Sequence, residues 1–595
     1  MNGAIRGFSR VLAALAACGF FGQASAQPKV LHYAMLVAET GFDPAQISDL
    51  YSAIMVSHMF DSPLTYDFLA RPSKVVPSTA GMPEVSADGM VFTLKVRPGI
   101  YFADDPAFNG NKRELNAQDY VYSVKRQFDP RWKSPNLFLL EGYLAGLDEV
   151  RKRALKTGKF DYDEEVEGIR ALDRYTLRIR LTKPNYNFLH YFTYCNIFCA
   201  VAREVVEAHG DKIAEHPVGT GPYRLADWKR SSKMIFERNT GYREEFYEAD
   251  PPADDPLSQA IYNRMKGKRL PLIDRVEVDV IEESQPRWLA FLNAEHDMLE
   301  YLPPEFANMV IPNNELAPNL KKRGILLERI AHMSVNFSYF NMEDPVVGGY
   351  TPGKVALRRA ISMGYNLDEE IRIIRKNQAI PAQSIVPPGA AGYDPALRSP
   401  VAYDPVRARA LLDTYGYVDR DGDGYRENPD GSPLVVEYAS TNDQQAKQSD
   451  ELWKKSMDAI GIRMVFKKAR WPEHLKAAHA AKLMMWGLGQ SAAIPDGDSF
   501  FGLLYGPYSG TNNLERFRLP EYDRLYERSK LLPDGPERNA LYLQMTRLLL
   551  AYAPMKLGIN RMWNDLLQPW VFGYRKHPVM RRFWSYLDVE PRAPQ

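Results

Sequence analysis

The stretch His216–Trp228, HPVGTGPYRLADW, decides how this chain is read. Two glycines, Gly219 and Gly221, flank Thr220, and Pro222 and Tyr223 follow. Such a loop either cradles a phosphate or turns a corner. A phosphate-binding loop carries Lys and then Ser or Thr directly after its last glycine, and no Lys follows Gly221. A dinucleotide fingerprint needs a third glycine that opens a helix; here Pro222 removes an amide donor and YRLADW reads as extended. The glycines are therefore expected to supply unusual backbone angles at a turn into a strand.

The rest of the chain supports a mixed α/β protein. In VFTLKV (91–96), YTLRIRL (175–181) and VEVDV (276–280) apolar residues alternate with polar ones, the period of half-buried strands. In YDPVRARALLDTYGY (403–417), Asp404 caps a helix, Pro405 takes its first turn and Gly416 stops it. Asn366 followed by Glu369 makes a capping-box-like start. In ALYLQMTRLLLAYAP (540–554) the expected stripe is Leu541, Met545, Leu548 and Tyr552. The charged run 151–168 reads as a solvated surface excursion, and the proline-rich 248–259 as a linker or flap.

At 595 residues the chain is too long for one core and implies two to four domains. Lys plus Arg number 75 against 74 acids, so there is no electrostatic case for a nucleic-acid partner. The N-terminus reads as an export signal: Arg6 and Arg10, an apolar core at 11–22 too short to span a bilayer, then the small-residue site Ala24–Ala26. Removing 1–26 leaves a formal charge of −1. Leu15–Gly19 also resembles a bacterial lipoprotein box, which would leave a lipidated Cys18, so export as a soluble protein and as a lipoprotein both stand. Two further cysteines, Cys195 and Cys199, are compatible with a bridge or with free thiols; two thiols alone make a poor zinc site.

Catalytic motifs are thin. There is no Gly-x-Ser-x-Gly elbow and no His-Glu-x-x-His, and His474 and His479, five apart, do not share a helix face. No cofactor is expected. One candidate metal loop exists: DRDGDGYRENPD (419–430) sets Asp419, Asp421, Asp423, Gly424 and Asp430 at positions 1, 3, 5, 6 and 12 of a calcium-type loop. Asp stands where the bidentate ligand is usually Glu, and a strand follows where a helix should, so a polar turn is the competing reading.

VGTGPYRLADW followed by FERNTGYRE resembles the signature of the family 5 solute-binding proteins of bacterial ABC importers, the dipeptide- and oligopeptide-binding type. Further stretches resemble that family in order along the chain: EVSADGMVFTLKVRPGIYFAD, LPLIDRVEVDVIEESQPRWLAFLNAEHDMLEY, FNMEDPVVGGYTPGKVALRRAISMGYNLDEEI and WGLGQSAAIPDGDSFF. The resemblance implies an α/β, type II-like two-lobe periplasmic binding protein fold with an extra domain inserted in the first lobe. It divides the chain into a signal peptide (1–26), first lobe (27–66, 217–330 and 551–595), inserted domain (67–216) and second lobe (331–550). It implies a monomer in the periplasm that closes over a solute, breaks no bond, and docks on a membrane permease with its ATPase. The motif positions carry over as candidate cleft residues Phe42, Tyr51, Phe60, Phe340, Asn341, Trp486, Gln490 and Asp496.

In peptide-binding members an Asp shortly after the Gly-Trp of the late motif pairs with the peptide's α-ammonium. The matching place here is Gln490 or Ser491, and neither is charged. Asp496 and Asp498, from the same loop, are the candidates to replace it. The departure argues against a simple free-amino dipeptide, since a buried ammonium needs a carboxylate. Blocked peptides, other amides, sugars and metal chelates fit the family as well. Two readings of other kinds share the chain's features: an exported hydrolase of peptide or cell-wall material, and a receptor that signals to a membrane sensor.

Overall fold

The three alternating stretches become strands in two of the sheets of a computed structural model, which describes residues 28–492 and 494–590. The export segment and Cys18 lie outside the described residues. A four-stranded antiparallel sheet holds, in order, Glu84–Val85, Val91–Lys95, Thr176–Arg180 and Ile169–Asp173. Phe92, Leu94, Leu177 and Ile179 point to its buried face, as the period of two requires.

The largest sheet runs Leu326–Ala331, Ile559–Leu567, Met298–Leu299, Val30–Met35, Arg275–Val280, Lys233–Arg238, Tyr223–Lys229, with Ala379–Pro381 paired to Ile559–Leu567. Val30–Met35 is parallel to both its neighbours and the remaining pairs are antiparallel. A third sheet runs Arg463–Lys468, Val435–Ser440, Met485–Ser491, Ser334–Phe340, Met555–Leu557. Its two faces feed two cores: Val335, Phe337 and Trp486 on one side, Phe340, Val436 and Met485 on the other. The four-stranded sheet and the largest sheet instead share one continuous core, which contains Leu94 and Leu177 together with Leu31 and Val276.

The chain passes between the two larger sheets after Ala331, around Ala379–Pro381 and at Gly558. Met555–Leu557 still pairs with Ser334–Phe340 in the third sheet, and the chain enters the largest sheet only from Ile559. Gly558 is obligatory there: its N–H donates to Asn336 O at 2.9 Å, and an added Cβ would lie 2.7 Å from that oxygen.

The opening loop is a structural corner, but not through unusual backbone angles. Neither Gly219 nor Gly221 adopts the left-handed conformation. Both are glycine because the loop runs against the end of the helix Leu50–Met59. A Cβ on Gly219 would sit 2.2 Å from Met59 O, and one on Gly221 would sit 2.5 Å from Met59 C. Gly221 N–H donates to Met59 O at 2.9 Å, and Asn239, from FERNTGYRE, donates its side-chain amide to Gly221 O at 3.0 Å. Thr220 Oγ1 and Arg243 Nη1 both donate to Asp61 Oδ2, at 3.0 and 2.7 Å, and Arg582 reaches the other carboxylate oxygen. Asp61 is fully enclosed, so the two arginines compensate a charge that water does not reach.

Cys195 and Cys199 are joined by a disulfide across the single turn Cys195–Phe198.

Candidate functional site

A cavity of about 300 Å³ opens between the third sheet and the helix Gln444–Asp458, beside the crossing at Gly558. Its wall is the strand Met485–Ser491, where the sequence reads MWGLGQS. The two glycines make the room: a Cβ on Gly487 would lie 2.3 Å from the Tyr438 hydroxyl, and one on Gly489 would lie 3.3 Å from Asn336 Nδ2. Trp453, Trp471 and Trp486 supply aromatic surface. Trp453 is delivered by the buried face of its amphipathic helix, whereas Trp471, at the start of Trp471–His479, stays half exposed.

The polar groups are few and unequal. Lys556 lies on the edge strand of the third sheet and is only 6% exposed. Its Nζ stands 4.2 Å from the centre of the Tyr365 ring and 5.7 Å from that of Trp453. Among the described residues it makes no salt bridge; its one hydrogen bond is to Leu557 O, at 3.4 Å. Burial pushes its pKa down to about 8, opposed by the charge of Glu370. Glu370 is itself engaged, accepting from the Tyr365 hydroxyl at 2.9 Å and from Arg375 Nε at 3.1 Å. Asp450 Oδ2 accepts from Ser440 Oγ and Lys468, but its Oδ1 is buried with no donor, and so is Asn336 Oδ1. The cavity therefore offers a cation without a carboxylate, two acceptors without donors, and aromatic walls. This set suits a molecule carrying an anionic group and N–H donors on an apolar frame.

The residues expected from motif position are dispersed. Trp486 lines the cavity. Gln490, directly after Gly489, donates to Ser491 O at 3.3 Å and is not among the cavity-lining residues. Phe42 is buried in the first-lobe core, edge-on to Trp228 at 5.0 Å. Phe60 packs beneath Gly219, and Phe340 faces the core on the opposite side of the sheet from Trp486. Asn341 ties backbone, donating to Ala481 O at 3.1 Å and accepting from Glu343 N–H at 3.0 Å. Tyr51 lies among Arg561, Glu300, Tyr301 and Arg287, with its hydroxyl pushed up to about 12 mainly by burial. Tyr51 is not among the cavity-lining residues.

Asp496 does not replace the missing carboxylate. It is 2% exposed and holds Arg538 Nη2 at 2.5 Å, the Tyr542 hydroxyl at 2.7 Å and Asn187 Nδ2 at 3.1 Å. Asp498 is paired with Lys530. Asn187, about 300 positions earlier in the chain, is tied to the Asp496–Arg538 pair by two hydrogen bonds, donating to Asp496 and accepting from Arg538 Nη1 at 3.3 Å. The acceptor that does line the cavity is Asp450, which no motif marked. Its signal was a lone acid on the apolar side of a helix; that of Lys556 was a lysine within the apolar run APMKLGI.

In the 419–430 loop Asp419, Asp421 and Asp423 come together with Glu427, not with Asp430, which accepts from Ser432 N–H and Oγ. Asp423 already faces Arg463, at 2.5 Å. Backbone N–H groups of Gly422, Asp423 and Tyr425 donate to the carboxylates of Asp419, Asp421 and Asp423, which shapes the turn ahead of the strand Val435–Ser440.

Residues 74–512 match the family described as bacterial extracellular solute-binding proteins, family 5 Middle. The chain belongs to that family. Among curated relatives, this family 5 protein is 26% identical over 575 residues to di/tripeptide-binding protein 2 of Pseudomonas aeruginosa, covering 95% of this chain and 96% of the relative. It is 24% identical to heme-binding protein A of Haemophilus influenzae, covering 92% and 90%. Among solved structures it is similar to the ABC transporter-associated periplasmic binding protein DppA from Helicobacter pylori in complex with the peptide STSA. That match has a TM-score of 0.74 and 22% identity over 94% of this chain and 98% of the other. The family 5 fold is thus the two-lobe one expected, and family members bind solutes rather than transform them.

Proposed function

We propose that this protein is the periplasmic solute-binding component of an ABC importer and that it captures a peptide or peptide-like solute by lobe closure, as a monomer, for delivery to a membrane permease and its ATPase. The observation that carries this reading is the pairing, in one aromatic-walled cavity, of the uncompensated Lys556 with the unsatisfied oxygens of Asp450 and Asn336. A solute carboxylate meets Lys556. An ammonium or amide N–H meets Asp450, which takes over from the uncharged Gln490. Trp486, Trp453 and Trp471 cover the apolar part. The peptide-binding relatives support the same class of solute.

Native mass spectrometry of the mature protein, purified without refolding, tests the reading, with fragmentation of any bound molecule. Peptide masses, lost in Lys556→Met, are the expected result. Non-peptide masses, or peptide masses retained unchanged in that variant, would overturn the assignment of solute or of site. A bound peptide that is shortened on incubation would favour the hydrolase reading.

A further inference from the structure

The segment that leaves the inserted domain carries a second cluster. The helix Arg203–His209 ends at His209, the 3-10 turn Gly210–Glu215 reverses the chain, and His216 opens the signature loop. The turn stacks the two imidazoles, with centroids 3.7 Å apart and planes 16° from parallel, so the donor atoms are close but one ring has to turn about its Cβ–Cγ bond for both to face a single ion. Asp105 meets them from a remote part of the same domain, its Oδ2 2.6 Å from His216 Nε2. One donor atom from each residue lies within 4.8 Å of the others.

Three features go beyond a packed histidine pair. Asp105 has a side chain only 3% exposed, and its other oxygen is fixed by Ala107 N–H at 2.9 Å, so it cannot swing away. That kind of anchoring orients a metal ligand. His216 is 40% exposed, which leaves an entry path and room for water in the remaining positions. The donors are two imidazole nitrogens and one carboxylate, a set that suits zinc and its first-row neighbours and not calcium or magnesium, which take oxygen.

We propose that Asp105, His209 and His216 form a site for a divalent transition-metal ion of the zinc type, held by three protein ligands with water completing the shell. None of the three lines the cavity beneath Lys556, so the site is separate from the proposed solute site. The ion would tie Asp105, near the start of the inserted domain, to the segment that returns the chain to the first lobe. That segment already touches the first lobe: Phe42 N–H donates to Ala214 O at 2.9 Å.

The test is a Zn²⁺ titration by calorimetry of tag-free mature protein stripped with chelator and desalted, with metal per chain read by elemental mass spectrometry. One Zn²⁺ per chain is expected at micromolar or tighter affinity. His209→Ala, His216→Ala and Asp105→Asn should each weaken it by at least about tenfold, in line with losses seen when metal-site partners are removed. The double variant Asp419→Asn/Asp421→Asn should bind as the wild type does, which separates this cluster from the acidic turn. Circular dichroism shows whether each variant is folded; His209→Ala, at a helix end, is the variant least able to disturb the fold. No stoichiometric Zn²⁺ in the wild type, or unchanged affinity in folded His209→Ala, would overturn the proposal.

Discussion

Replacing Lys556 by Met keeps the length and apolar stem of the side chain and removes only the ammonium. The consequence can be worked from the burial of that group. Its pKa falls from 10.5 to about 8, chiefly through desolvation, so the folded protein resists its charged form. A drop of that size corresponds to about 3 kcal/mol. The sign follows from proton counting. Between pH 8 and 10.5 the unfolded chain holds the proton and the folded protein has released it, so stability contributed by this residue rises with pH across that window. Below pH 8 both states are protonated and the full cost of the buried charge remains. Lys556→Met should therefore be more stable than the wild type by about 3 kcal/mol at pH 7, and the gap should close by pH 10.5. Urea midpoints of the two proteins, free of solute and measured side by side from pH 6.5 to 10.5, provide the readout; other titrations cancel in the difference. A gap that stays constant with pH, or a wild type that is the more stable at pH 7, would refute the reasoning. The same ammonium that weakens the empty protein should hold a solute carboxylate. Affinity should then fall as pH rises through 8 in the wild type, with no such fall in the variant.

Three further outcomes are expected. Gly219→Ala places a methyl 2.2 Å from Met59 O and 2.7 Å from the Phe60 ring, and should cost about 3 kcal/mol, visible as a lowered thermal midpoint; an unchanged midpoint would show that the corner can open. Asp61→Asn leaves Arg243 and Arg582 enclosed without their shared carboxylate and should cost about 3–5 kcal/mol by urea denaturation; a neutral result would mean that water or Glu245 already balances them. Glu515 is enclosed with its Oε2 unpartnered, and burial pushes its pKa from 4.5 up to about 8. The folded state keeps a proton that the unfolded chain loses between these values, so its contribution to stability falls as pH rises through that window. Glu515→Gln should recover about 3 kcal/mol at pH 7 and nothing at pH 4, and equal stability at both would refute the assignment.

Local patterns were legible where local forces act alone. The three alternating stretches are strands with the expected faces buried. Asp404 and Asn366 accept from Arg407 and Glu369 N–H, the caps their positions promised. The stripe on Pro536–Tyr552 is rotated: Leu541 and Met545 are buried, but Leu549 and Tyr542 replace Leu548 and Tyr552. That helix packs against the second lobe and sends Tyr542 to Asp496, a partner its own period does not reveal.

What the sequence determined by itself is the class of fold, through period-two and capping signals, and the family, through motifs in order. The glycines of the opening loop show where that ends. Their presence was plain, but their reason, the carbonyl of Met59 lying where a Cβ would be, belongs to residues about 160 positions away. The site is a stronger case. Asn336, Asp450, Trp486 and Lys556 come from four separate strands and helices and share no spacing. Hydrogen bonding and desolvation act through space, so whether an acid is a helix-surface charge or an unsatisfied acceptor depends on what folds over it. Only the tertiary structure decided that Asp496 is consumed by Arg538 and that Lys556 makes no salt bridge among the described residues.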